Sequence, residues 1–148
     1  MIRDQIKMTS KTFTCFVFVW FFCINPALSQ TELVGVNLAG ADFGENNLPG
    51  TYNVHYTYPT HAEVDYFLGK GMNVFRLPFR WERLQRSQNA DFDANELARI
   101  DDFVNYATGN GASVILDPHN YARYFGDIIG TANLPVSAFE DFWSKLAM

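Results

Sequence analysis

An ionisable imidazole, two amphipathic phenols and a guanidinium crowd one stretch of the chain, Asp117-Pro118-His119-Asn120-Tyr121-Ala122-Arg123-Tyr124. The stretch follows Ser113-Val114-Ile115-Leu116, an apolar run that predicts a buried parallel strand. The polar groups therefore gather where a strand leaves the core, and in α/β sheets the carboxyl ends of strands are where ligands bind. A second pointer lies in Asn73-Val74-Phe75-Arg76-Leu77-Pro78-Phe79-Arg80-Trp81-Glu82-Arg83-Leu84. Arg76 interrupts an apolar strand there, and because an unpaired charge in such a place is costly, it predicts a waiting carboxylate.

Periodicity supplies the elements that must position these groups. A strand is predicted over residues 33–37, followed by a polar and aromatic loop to Pro59. Thr60 and Glu63 form a Thr-x-x-Glu capping box, which opens a helix to about Lys70 with Val64, Phe67 and Leu68 turned inward. Gly71 ends it, and a second strand runs over residues 73–79. Asp93 and Glu96 start the next helix, which presents Leu97, Ile100 and Val104 until Asn110 and Gly111 stop it before the third strand, residues 113–117. Ser137 and Glu140 mark a last helix carrying Phe139, Phe142, Trp143 and Leu146 at i, i+3, i+4 and i+7. Three strand–helix units in succession mean a parallel sheet covered by helices. Periodicity alone leaves a closed barrel and a doubly wound sheet both open. Gly35, Gly40 and Gly44 do not fit Gly-x-Gly-x-x-Gly, however, and no Gly-Lys-Ser/Thr occurs.

Five blocks in register carry a resemblance. They are Gly35-Val36-Asn37-Leu38-Ala39-Gly40-Ala41-Asp42-Phe43-Gly44, Leu48-Pro49-Gly50-Thr51-Tyr52, Tyr58-Pro59-Thr60, Gly71-Met72-Asn73-Val74-Phe75-Arg76 and His119-Asn120-Tyr121. Together with the last helix they cover nearly all of residues 33–147, and they resemble glycoside hydrolase family 5, the retaining cellulase family, in its fungal-type endo-β-1,4-glucanase branch. The resemblance implies a (β/α)8 TIM barrel, a fold of about 250 residues, with only the first three βα units present here.

It also implies a chemistry. Retaining glycosidases use two carboxyl groups about 5–5.5 Å apart, one a nucleophile and the other an acid/base. In the resembled family both are glutamates, one after the fourth strand and one at the end of the seventh, so neither is expected within these residues. Arg76 matches the family arginine that hydrogen-bonds the nucleophile, favouring its ionised form. His119 matches the family histidine that contacts sugar at the point of cleavage, where an imidazole can donate to or accept from a hydroxyl. Asn120 and Tyr121 are expected to steady this corner or line the cleft. The loop of residues 42–59 brings Phe43, Tyr52, His55, Tyr56 and Tyr58 to the same face. Aromatic faces suit the C–H surfaces of glucose rings, and from this set Tyr56 joins His119, Asn120 and Tyr121 as the expected substrate-binding residues. Trp81 and Asp117 are read as structural, Asp117 because the family takes its carboxylates from other strands. His55, His61 and His119 have no metal-ligand spacing, and the reaction needs no cofactor.

The first 29 residues have the layout of a secretory signal peptide. Arg3, Lys7 and Lys11 precede a run over residues 13–24 that is apolar or aromatic except at Thr14, and Ala27-Leu28-Ser29 offers a cleavage site before Gln30. The run is shorter than the roughly 20 residues that a bilayer span needs. Cleavage removes both cysteines, Cys15 and Cys23, and leaves eight Lys/Arg against fifteen Asp/Glu, a formal charge of −7. That acidity argues against nucleic acid or anionic membrane as a partner, while a neutral polysaccharide does not object to it.

The expected protein is thus a secreted endo-β-1,4-glucanase, monomeric at full length, acting on a β-1,4-glucan, with residues 30–148 as the N-terminal part of its barrel. The alternatives are another β-glycanase of the family, a mannanase or β-1,3-glucanase, and a non-catalytic remnant that binds carbohydrate. The isolated segment is expected to be inactive and to fold poorly, since three strands leave two open hydrogen-bonding edges. The last helix is still in phase at Leu146, so a longer chain is expected.

Overall fold

The computed structural model describes residues 32–147. The predicted export segment, with Cys15 and Cys23, lies outside the described residues. Three parallel strands, β1 (Gly35–Asn37), β2 (Val74–Phe79) and β3 (Ser113–Pro118), form a sheet in sequence order. Helix α1 (His61–Leu68) follows β1, α3 (Ala94–Gly109) follows β2, and α4 (Val136–Leu146) follows β3. A four-residue helix α2 (Trp81–Leu84) directly after β2, and a hairpin of β4 (Arg123–Tyr124) and β5 (Asp127–Ile128) after β3, carry no periodic signal and were not expected.

Local chemistry explains where the two long inter-strand helices begin and end. The predicted capping box is present: the Thr60 side chain accepts from Glu63 N, and Glu63 Oε2 accepts from Thr60 N at 2.7 Å. The Asp93 carboxylate caps α3 by accepting from the backbone of Asn95 and Glu96. Both helices close on the same motif. Met72 N donates to Phe67 O and Gly71 N to Leu68 O, while Ala112 N donates to Ala107 O and Gly111 N to Thr108 O. Gly71 and Gly111 each hold φ +84°, the left-handed turn this closure requires. A strand starts within three residues of each glycine. Helix α4 departs from expectation at its start. Pro135, extended at ψ 154°, is the capping residue, with no side-chain bond, and Ser137 already lies inside the helix.

Parallel pairing aligns Asn37 with Arg76, Arg76 with Ile115 and Pro78 with Asp117. Side chains alternate between faces, so Phe75, Leu77 and Phe79 point to one side and Arg76 to the other. The first three are fully buried in a core shared with Val64, Ile100, Phe103 and Ala107 of the helices. Each such side chain contributes about 1.5–3 kcal/mol by leaving water. Among the described residues β3 is the last strand of the sheet, and Ile115, on the face away from the helices, is 53% exposed. Val114 and Leu116, on the helix face, are half-buried against the core.

Candidate active-site corner

Side chains from the end of β1, from within β2 and from the end of β3 meet. Arg76 donates through Nη1 to Asn37 Oδ1 and through Nη2 to Asp117 Oδ2. Its Nη2 also lies 3.0 Å from His119 Nδ1, which stands 2.9 Å from the same Asp117 oxygen. His119 Nε2 is 2.9 Å from the Tyr121 hydroxyl, and the two rings meet edge to face at 4.7 Å. If Nδ1 carries the proton toward Asp117, Nε2 accepts from the phenol. If Arg76 supplies the proton at Nδ1, Nε2 donates to it. Either tautomer holds the imidazole at both nitrogens.

The carboxylate predicted beside Arg76 is therefore present, and it is Asp117, read from the sequence as structural. It bonds both Arg76 and His119 and belongs to the site. Strand alternation could have found it, since Asp117 follows Ile115 by two and must share its face. Among the described residues the Arg76 side chain is 36% exposed, on the face of the sheet away from the helices.

Two expected sugar contacts are placed differently. Tyr56 is only 5% exposed; its hydroxyl donates to Glu96 Oε1 at 2.5 Å, and Arg83 covers its ring at 3.9 Å. The ring face is already occupied, so Tyr56 packs the loop instead of meeting sugar. Asn120 is also buried, with Oδ1 accepting from Trp81 N at 2.8 Å and Nδ2 donating to Glu82 Oε2 at 2.7 Å. It steadies the corner. Tyr121, 72% exposed, and Phe43, 56% exposed, remain open to solvent on either side of a groove lined by Asp42, Glu45, Arg80 and His119. Trp81 is buried against Phe142 and Tyr124, in keeping with its structural reading.

Buried arginines hold the rim, a role the sequence reading missed. Arg83, with no exposed surface, donates through Nε to Pro49 O at 2.9 Å and through its two Nη groups to Ala41 O and Phe43 O. Burial lowers its pKa from the ordinary arginine value. Arg80 joins the two loops, donating to Asp42 O at 3.0 Å, Glu45 Oε2 at 2.9 Å and His119 O at 2.6 Å. Behind them Glu96 accepts from Tyr56, Tyr58 and Arg99. Burial, with the Glu96 carboxylate adding to it, raises both phenols well above the usual tyrosine range. Burial and the charge of Glu82 push Tyr124 up to about 12.

The loop after β3 is strained. Tyr121, Ala122 and Phe125 adopt φ of 50°, 57° and 45°. A left-handed conformation costs a non-glycine residue about 1 kcal/mol or more. Among the described residues no three His, Cys, Asp or Glu side chains gather as a metal cluster.

A parallel sheet backed by helices carries an Arg–Asp–His–Tyr cluster on the side where α/β folds bind ligands. Residues 36–148 match the cellulase family, glycosyl hydrolase family 5, and the chain belongs to that family. A probable endo-beta-1,4-glucanase B of Aspergillus oryzae is 42% identical over 120 residues, covering 80% of this chain and 35% of the relative. The crystal structure of an endo-beta-1,4-glucanase from Xanthomonas axonopodis pv. citri superposes with a TM-score of 0.76 at 44% identity, covering 78% of this chain and 37% of the other. Pseudomonas stutzeri endoglucanase Cel5A, solved with cellobiose, superposes at 0.75 and 38% identity, covering 78% and 35%. The fold is that of the (β/α)8 barrel, of which the described residues form part. The chain spans about a third of the length of the relatives it matches.

Proposed function

We propose that this chain is part of a secreted endo-β-1,4-glucanase that cleaves β-1,4-glucan with retention of configuration, its nucleophile and acid/base glutamates lying outside these 148 residues. The observation that carries the reading is the cluster of Arg76, Asp117, His119 and Tyr121 at adjacent strand ends, in a chain whose relatives are named for this activity. Arg76 commits only part of a five-donor guanidinium to Asn37 and Asp117 among the described residues. Its further N–H groups suit an incoming carboxylate, which the positive charge keeps ionised as a nucleophile must be. His119, held at both ring nitrogens, fixes the Tyr121 hydroxyl, which presents its remaining hydrogen-bonding capacity to a sugar hydroxyl. Tyr121 and Phe43 offer exposed rings to glucose faces. The acidic balance suits a neutral polymer, and the N-terminal export layout suits a substrate too large to enter a cell.

The test uses the complete gene product that contains these residues, assayed on cellopentaose, mannopentaose and a β-1,3-glucan oligomer. Hydrolysis of cellopentaose with the β-anomer formed first supports the reading. Preference for the mannose or β-1,3-linked oligomer would assign another β-glycanase, and α-anomer release would remove the double displacement. No hydrolysis of any of the three would favour the carbohydrate-binding remnant. The 148-residue chain by itself is expected to be inactive.

A further inference from the structure

Glu82 is 2% exposed, and among the described residues it forms no ion pair. A carboxylate stripped of water without a cation is costly unless N–H donors satisfy it. The donors it has belong to the loop that follows β3. Oε2 accepts from Asn120 Nδ2 at 2.7 Å, and Oε1 accepts from the backbone N–H of Phe125 at 2.8 Å. These two anchors bracket Tyr121 and Ala122, and the span holds the three left-handed residues Tyr121, Ala122 and Phe125. Asn120 is fixed from its other end by Trp81 N, so α2 grips the loop through consecutive residues.

We infer that Glu82 is a positioning residue for the reaction: it clamps residues 120 and 125 so that the strained turn between them holds the Tyr121 hydroxyl on His119 Nε2. Arg83, next in sequence, grips the opposite loop through the carbonyls of Ala41, Phe43 and Pro49. One helical turn thus sets both sides of the groove with two buried charges of opposite sign. Glu82 touches no reacting atom and acts through Asn120 and Phe125. The inference rests on the glucanase reading only in treating His119 and Tyr121 as substrate-facing.

The hydrogen-bond pattern gives a reciprocal test. Glu82→Gln sets an amide NH2 against one of the two donors, and Asn120→Asp alone sets two carboxylates against each other. In the double variant the new amide at 82 accepts from Phe125 N–H and donates to the new carboxylate at 120, whose other oxygen accepts from Trp81 N–H. Every bond is restored with the charge moved to the other residue. In the complete gene product, Glu82→Gln is expected to lower kcat/KM on cellopentaose on the order of tenfold or more through misplacement of the pair. It is also expected to shift the His119 ring resonances in 15N-histidine NMR. The double variant should return both readouts toward wild type, with kcat/KM within about threefold. A fall in thermal midpoint with unchanged kcat/KM and unchanged His119 resonances would reduce Glu82 to a packing residue. A double variant no nearer wild type than the singles would overturn the clamp. If the wild type does not cleave cellopentaose, the glucanase reading fails, and the His119 resonances alone decide the positioning role.

Discussion

The two faces of the three-stranded sheet are made from alternate residues of the same strands, yet they obey different rules. On one side Phe75, Leu77 and Phe79 are fully buried under α1 and α3. On the other, Asn37, Arg76, Asp117 and His119 bond to one another while Arg76 and Ile115 keep a third and half of their surface in solvent. The helix face gains stability from area removed from water, which is non-directional and tolerant of detail. Among the described residues the other face is tied together by directed hydrogen bonds instead. The same division recurs in the tyrosines: Tyr56 and Tyr58 are sealed against Glu96, while Tyr121 stands in the open beside His119.

The largest expected contrast comes from removing apolar volume on the helix face. In a folded product containing residues 32–147, Phe75→Ala is expected to cost about 3–5 kcal/mol, read as a shift in denaturant midpoint. A cost under about 1 kcal/mol would mean that the helix face is not the packed one.

Alkali should act through the sealed phenols. Tyr124 titrates at about 12 in the folded protein, and Tyr56 and Tyr58 lie above the usual range, against about 10 for an unfolded tyrosine. A raised folded pKa contributes stability that is fully present below the unfolded value and is lost as pH rises through the folded one. Stability is therefore expected to decline from about pH 10 upward, with tyrosine ionisation at 295 nm lagging until unfolding. Full tyrosine ionisation near pH 10 in the still-folded protein would contradict the burial of these rings.

The smallest effect belongs to the open face. In a longer product whose barrel closes over this face, Ile115→Ser is expected to cost about 1.5–3 kcal/mol, read as a shift in denaturant midpoint. A change within about 0.5 kcal/mol would mean that the face stays in solvent there too.

Much of the frame was legible because its signals are local. Thr60 with Glu63 announced a capping box, Asp93 a helix start, and Gly71 and Gly111 helix ends, and each depends on neighbours within one or two turns. Arg76 and His119 stood out as polar groups in apolar context, and both lie in the corner. The partner of Asp117 was not legible, because Arg76 lies 41 residues away in sequence. Tyr56 was misplaced, and of the two roles expected for Asn120 the structure keeps the steadying one, for the complementary reason. A phenol or amide near a cleft reads alike whether it faces sugar or is spent on Glu96 or Glu82 inside the protein. Helix α2 is too short to show a period, so nothing local marks its two charged residues, Glu82 and Arg83, as buried.

The sequence by itself determined the order of the three parallel strands and their long helices, the capping of α1 and α3, the family and the residue types near the strand ends, because short-range periodicity and side-chain identity suffice for these. Only the tertiary structure decided that Asp117 joins Arg76 to His119, that Tyr56 turns inward, and that Glu82 and Arg83 grip opposite loops. Those outcomes follow from strand register and from which donor fills which lone pair, and both are settled between residues some forty positions apart, where no local pattern reaches.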